Sequence, residues 1–205
     1  MKRLADFLFE GHMLKYLPRS GYAFLGAGKE SVAEHTFMTA LIAWVLSTME
    51  STVNVGRLIT MCLVHDLPEA RIGDLNTVQK RYVRADEGAA VADAARGLPF
   101  GDELTALIDE FNAGDTLASQ LARDADHLAL VIDLKALADR GYRTPEKWQP
   151  HVLKRLRTES AKALARALTQ RDFDGWWLDA LVAPDSEGEK SAAEGPRGRG
   201  SKGKA

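Results

Sequence analysis

Four side chains stand where apolar helices rarely tolerate charge: His35, the doublet His65-Asp66, and Asp126. His35 opens the most apolar segment of the chain. His65 and Asp66 close the next apolar run, residues 58–64, and Asp126 interrupts a long periodic stretch between Ala125 and Leu128. An ionisable group is costly to bury unless it is paired or bound to a metal. Imidazole and carboxylate groups arriving on three separate apolar helices therefore suggest convergence on one cation. The mixed N/O set suits Mn, Fe, Co, Ni, Zn or Mg better than a metal that prefers thiolate. A lone histidine on an apolar helix is more often a hydrogen-bonded core residue, and a His-Asp doublet is common by chance; the signal is the ordered set. His12, His127 and His151 have no assigned role. His127 follows Asp126 and points about 100° away on a helix, which argues against a shared ligand role.

The elements that would position these groups read as helices. Ser31 and Glu34 form a capping-box pattern just before an apolar run extending to about residue 49. That run is apolar on most sides, the pattern of a central buried helix. Helical spacing recurs over residues 103–111, 117–137 and 152–168, and residues 174–182 close the core with Trp176, Trp177 and Leu181. Residues 18–28 read as a loop, with glycines at 21, 26 and 28. No period-2 strand pattern, internal repeat or P-loop is evident: the Gly26-x-Gly28-Lys29 stretch lacks the preceding strand and the following Ser/Thr. The expected fold class is all-α.

Composition narrows the function classes. The chain has 205 residues, 45% of them apolar, enough for one domain with a sizeable core. A net charge of -2 argues against binding nucleic-acid polymers or membranes through bulk charge. The single cysteine excludes a disulfide framework and a cysteine metal cage, and fits a reducing compartment. No signal peptide is evident, and the most apolar run, residues 37–46, is about half the roughly 20 residues of a membrane span. A cytoplasmic protein is expected. The domain is expected over residues 1–183, followed by a disordered tail over 184–205. That tail is rich in glycine, serine and charge, with no aromatic or branched aliphatic residue to bury.

The constellation resembles the HD-domain superfamily of metal-dependent phosphohydrolases, an all-helical fold with an H…HD…D metal site. Further motifs resemble its 5'-deoxynucleotidase branch: Glu34-His35 with the Ser31-Val32 lead, His65-Asp66-x-x-Glu69, Ile72-Gly73-Asp74, Leu14-Lys15-x-x-Pro18-Arg19-x-Gly21, and Arg123-Asp124-Ala125-Asp126. The resemblance spans about residues 5–170 and implies His35, His65, Asp66 and Asp126 as ligands of one divalent metal ion. Asp124 competes with Asp126 for the last position. The resemblance further implies Glu69 and Asp74 as catalytic carboxylates, Arg19 as the contact to substrate phosphate, and a homodimer. Gly73 would permit a sharp turn that brings Asp74 to the site, and an arginine can hold two phosphate oxygens at once. No histidine lies between Asp66 and Asp126, which favours a single metal over a pair. Where the branch often carries Trp near the sugar, this chain has Tyr22. Lys80 and Arg84 read as a solvated face, with added positive potential near the site as the alternative.

The leading expectation is a hydrolase that removes phosphate from (deoxy)nucleoside 5'-monophosphates with a metal-activated water. Two alternatives stand beside it. One keeps the fold and changes the substrate to a triphosphate or alarmone nucleotide. The other is a non-catalytic HD ligand-binding module, which none of the four expected ligands being missing disfavours.

Overall fold

The structure is a computed structural model that describes residues 1–182. Eleven α-helices and one 3-10 turn make up the described residues, and their only extended pairing is a single bridge between Pro18 and Ser31. The expected all-α class is borne out. The helices are α1 (Lys2–Met13), α2 (Tyr22–Leu25), α3 (Val32–Ser47), α4 (Val55–Val64), α5 (Glu69–Ile72), α6 (Glu87–Ala95), α7 (Gly101–Ala113), α8 (Leu117–Asp139), α9 (Arg143–Leu153), α10 (Glu159–Gln170) and α11 (Gly175–Val182). The 3-10 turn spans Gln79–Arg81. A first compact unit runs over Met1–Arg171; a second begins at Asp172 and contains α11. The expected tail lies outside the described residues. No described helix is long and apolar enough to cross a membrane.

The first unit is organised around α8, a 23-residue helix against which α3, α4, α9 and α10 all pack. Its buried stripe, Leu121, Ala125, Leu128, Val131 and Leu134, follows 3.6-residue periodicity. Leu46 from α3 and Leu58 and Met61 from α4 meet it, all without solvent exposure. A second apolar cluster lies under α1, α6 and α7 around Leu14, Val32, Val91, Leu104 and Ile108. A third joins α2, α8 and α9 through Leu25, Val131, Leu134 and Val152, with Trp148 packed against it.

Two expectations change in detail. Helix α3 buries one side only: Phe37, Leu41, Trp44 and Val45 remain substantially exposed. All-round apolarity here reflects a core face plus an apolar outer face, not complete burial. The stretch 152–168 is broken, because residues 154–158 turn between α9 and α10. Asp124 accepts hydrogen bonds there from Arg157 N (2.9 Å) and Thr158 N (2.8 Å), and Thr158 caps α10 through its side chain. Helix α9 begins at residue 143, in spite of Pro145 and Pro150. Pro145 sits in the first turn, where its missing N–H costs nothing. In the second unit, Trp176 and Leu181 are each 72% exposed.

Candidate active site

Each expected site residue is delivered by a local device that the sequence encodes. The Ser31 hydroxyl accepts from Glu34 N while the Glu34 carboxylate accepts from Ser31 N at 2.6 Å, so α3 begins at Val32 and His35 falls in its first turn, fully buried. Helix α4 stops at Val64, and His65 leaves it as the C-cap with only 5% exposure. The chain then turns into α5 and leaves it through Gly73, whose φ of +79° disfavours any residue with a Cβ. That turn brings Asp74 back toward the start of the chain, as expected. Its Oδ2 accepts from Ser20 N at 2.7 Å and stands 3.8 Å from Arg19 Nε. The Arg19 loop is held from its other side by Arg19 N donating to Glu30 O and by the Pro18–Ser31 bridge.

The three helices converge. One ligating atom each from His35, His65 and Asp126 lie within 4.8 Å of one another. His35 Nε2 is 3.0 Å from Asp126 Oδ1, and the two imidazole centroids are 5.8 Å apart. Asp66 Oδ2 stands beside them, 3.2 Å from His65 Nε2 and 3.8 Å from His35 Nε2, and also pairs with Arg19 Nη1 at 3.0 Å. Asp124 is elsewhere. It is fully buried, and both its oxygens are taken by Arg157 N, Thr158 N and Thr158 Oγ1. Of the two competing aspartates, Asp126 faces the histidines and Asp124 ties α8 to α10.

This cluster fits a cation. His65 Nδ1 is 2.7 Å from Cys62 O, so it is the donor, which leaves Nε2 as the ligating atom; that Nε2 is buried and has no hydrogen-bond partner in this structure. The electrostatics agree. Burial alone would lower the His65 pKa, but the charges of Asp66 and Asp126 and the Asp66 contact raise it to about 9. Burial alone would raise Asp126, yet the hydrogen bond from His35 and the nearby imidazoles hold it well below the usual carboxylate range. Buried carboxylates that demand positive charge, with imidazoles at ligating distance, form a donor set that a divalent ion satisfies.

Around the cluster lies a cavity of about 870 Å³, lined also by Arg19, Glu69 and Asp74. All seven expected residues therefore share one site. Glu69 Oε2 is buried without a partner, and burial together with the Asp66 and Asp74 charges pushes Glu69 up to about 9. Glu30 also faces His35, with 3.9 Å between Oε2 and Nδ1; burial and Asp133 push it up to about 8. Tyr22 donates to Asp133 at 2.7 Å.

The cavity also has lining residues beyond the expected seven. His127, His151, Lys80 and Arg84 all border the cavity, as do Trp148 and Arg155. A signal for part of this set was available: Trp148, His151 and Arg155 have i, i+3, i+7 spacing, one face of a helix.

Comparison with known proteins places this arrangement. The 5'-deoxynucleotidase HDDC2 of Bos taurus is 26% identical over 144 residues, covering 67% of this chain and 69% of that protein. The 5'-deoxynucleotidase hdd1 of Schizosaccharomyces pombe is 23% identical over 131 residues, covering 59% of this chain and 65% of its own. Among solved structures, a conserved hypothetical protein from Pyrococcus furiosus superposes with a TM-score of 0.71 at 26% identity, covering 82% of this chain and 99% of the other. A protein from Magnetospirillum magnetotacticum described as a predicted metal-dependent phosphohydrolase superposes with a TM-score of 0.66 at 25% identity, covering 82% and 90%. The HD domain family matches residues 12–168, the stretch that supplies every residue of the cluster, and the chain belongs to that family.

Proposed function

We propose that this chain is a metal-dependent phosphohydrolase that releases orthophosphate from (deoxy)nucleoside 5'-monophosphates. The observation that carries the reading is the convergence of His35, His65 and Asp126 on the floor of a cavity that also holds Arg19 and Glu69. His35, His65, Asp66 and Asp126 would hold one divalent ion, of the group Co, Mn, Mg, Fe, Ni and Zn. Such an ion polarises a phosphoryl oxygen and makes a water acidic enough to attack at neutral pH.

The chain's own groups supply the rest. Arg19 is fixed between Asp66 and Asp74 and can bind two phosphate oxygens through its guanidinium. Asp74 holds the backbone of that loop through Ser20 N, so its role includes keeping Arg19 in place. Burial and the Asp66 and Asp74 charges favour the protonated form of Glu69, which can give its proton to the 5'-oxygen as the P–O bond breaks; its carboxylate can then take a proton from water. The cavity volume is in the range of small-molecule sites and accommodates a nucleotide. The family resemblance of the sequence supports a homodimer, and the buried free Cys62 is consistent with the cytoplasm.

A phosphate-release screen of the common nucleotides with Co, Mn and Mg tests the reading. Orthophosphate is expected from monophosphates, with EDTA abolishing release. His65→Ala and Asp66→Ala should each lose bound metal and at least about 100-fold in activity, since even the groups that merely orient metal ligands cost 10–100-fold. Pyrophosphate or triphosphate as product would favour a different nucleotide substrate. Full activity in either variant would overturn the ligand assignment.

A further inference from the structure

The wall of the cavity away from the metal cluster is built by α9 and the residues just after it. Trp148 and His151 line the cavity from α9, and Arg155 lines it from the turn that follows. Trp148 is half-buried against the apolar cluster of Leu25, Val131 and Val152, which fixes its indole. Its position relative to the catalytic floor is set by Gly21: a Cβ there would stand only 3.2 Å from Trp148 Cη2. The indole edge thus lies against the backbone two residues beyond Arg19. Two residues of chain span at most about 7 Å, roughly the width of a sugar. Arg155 and His151 are exposed at the outer end of the same stripe. Among the described residues, neither side chain is engaged in an ion pair within the protein.

We propose that this stripe is the nucleobase subsite, with Trp148 stacking on the base and Arg155 binding the acceptor edge of an oxo base such as guanine. The inference rests on the nucleotidase reading and extends it to the substrate's base. An aromatic face gives affinity to any base. A guanidinium adds discrimination, because guanine offers two acceptors in the fork geometry of arginine and adenine offers an acceptor beside a donor. The Arg19 end would hold the phosphate, and the sugar would bridge the span along Gly21. A bulkier residue at position 21 would push the indole out of register, which gives the glycine a role in the site.

Steady-state kinetics with dGMP, dAMP and deoxyribose 5-phosphate test this in the full chain loaded with metal. Trp148→Ala is expected to lower the ratio of kcat/KM for dGMP to that for deoxyribose 5-phosphate by about tenfold. The loss should appear in KM, and Trp148→Phe should recover most of it. The wild type is expected to prefer dGMP over dAMP, and Arg155→Ala to erase that preference. Equal losses on dGMP and deoxyribose 5-phosphate, or no loss on either, would overturn the subsite. A wild type without preference for dGMP would overturn the role of Arg155. If no compound releases orthophosphate, the hydrolase reading fails, and quenching of tryptophan fluorescence by dGMP in EDTA then decides the subsite. Quenching that disappears in Trp148→Phe supports it, and equal quenching in both proteins overturns it.

Discussion

Burial and the neighbouring carboxylates of Asp66 and Asp74 keep a proton on Glu69 up to a pH of about 9. An unfolded glutamate loses that proton near its ordinary value of about 4.3. Between these two values the folded chain binds more protons than the unfolded chain, so the Glu69 contribution to stability falls as pH rises through the window. Glu69→Gln removes the titration and keeps the shape. In metal-free protein the melting temperature of the variant relative to wild type should therefore rise from pH 5 to pH 9. A widening of roughly 2–4 °C corresponds to about 1 kcal/mol for a chain of this size. A difference that stays constant across the range would show that Glu69 titrates normally. The residue types and spacing of this site were legible in the sequence, because motif spacing reports which groups recur together. The protonation of Glu69 was not, because it depends on burial and on Asp66 and Asp74 standing nearby.

At the scale of elements, Asp124 and Asp126 divide two tasks that spacing alone could not assign. They lie two residues apart on α8 and so face different ways. Asp126 meets His35 of α3, whereas Asp124 receives the backbone N–H groups of Arg157 and Thr158, just before α10, and the Thr158 hydroxyl. The break between α9 and α10 depends on that buried carboxylate. The apolar spacing at 153, 156, 164 and 168 continues through the break, so periodicity reads one helix where there are two. Asp124→Asn leaves a buried N–H facing a donor and is expected to cost roughly 1–3 kcal/mol, measured by urea unfolding. Its bound metal per chain should equal that of wild type. Asp126→Asn should do the reverse, losing metal with a smaller change in stability. Metal loss in folded Asp124→Asn would reassign the ligand.

For the whole molecule, the outer face of α3 is one apolar surface of the described residues that the core does not absorb. Phe37, Leu41, Trp44 and Val45 follow i, i+4, i+7, i+8 spacing and are 39–64% exposed. Scattered surface hydrophobics are ordinary, but a contiguous apolar patch marks an interaction surface. The proposed homodimer would cover it. Sedimentation equilibrium is expected to give a dimer for the wild type and a monomer for Trp44→Glu, with the circular dichroism of the two alike. A monomeric wild type, or a dimer that survives the substitution, would remove this face from the assembly. The same helix turns His35 and Thr39 inward, so the surface lies one helix diameter from the site.

The sequence by itself pointed to the fold class, to the cap that sets where α3 and His35 begin and, through its resemblance to the HD-domain family, to the residues that the fold brings together. These are local properties: periodicity, capping chemistry and motif spacing act over a few residues and survive without neighbours. Only the tertiary structure decided which aspartate faces the histidines, which side of α3 is buried, and that Trp148, His151 and Arg155 line the same cavity as Arg19. Each of those depends on what packs against a helix from a distant part of the chain. The Arg19 loop, α3, α5 and α8 meet at one point although residues 19 and 126 are far apart in sequence, and burial, proton affinity and cavity shape arise only at that meeting.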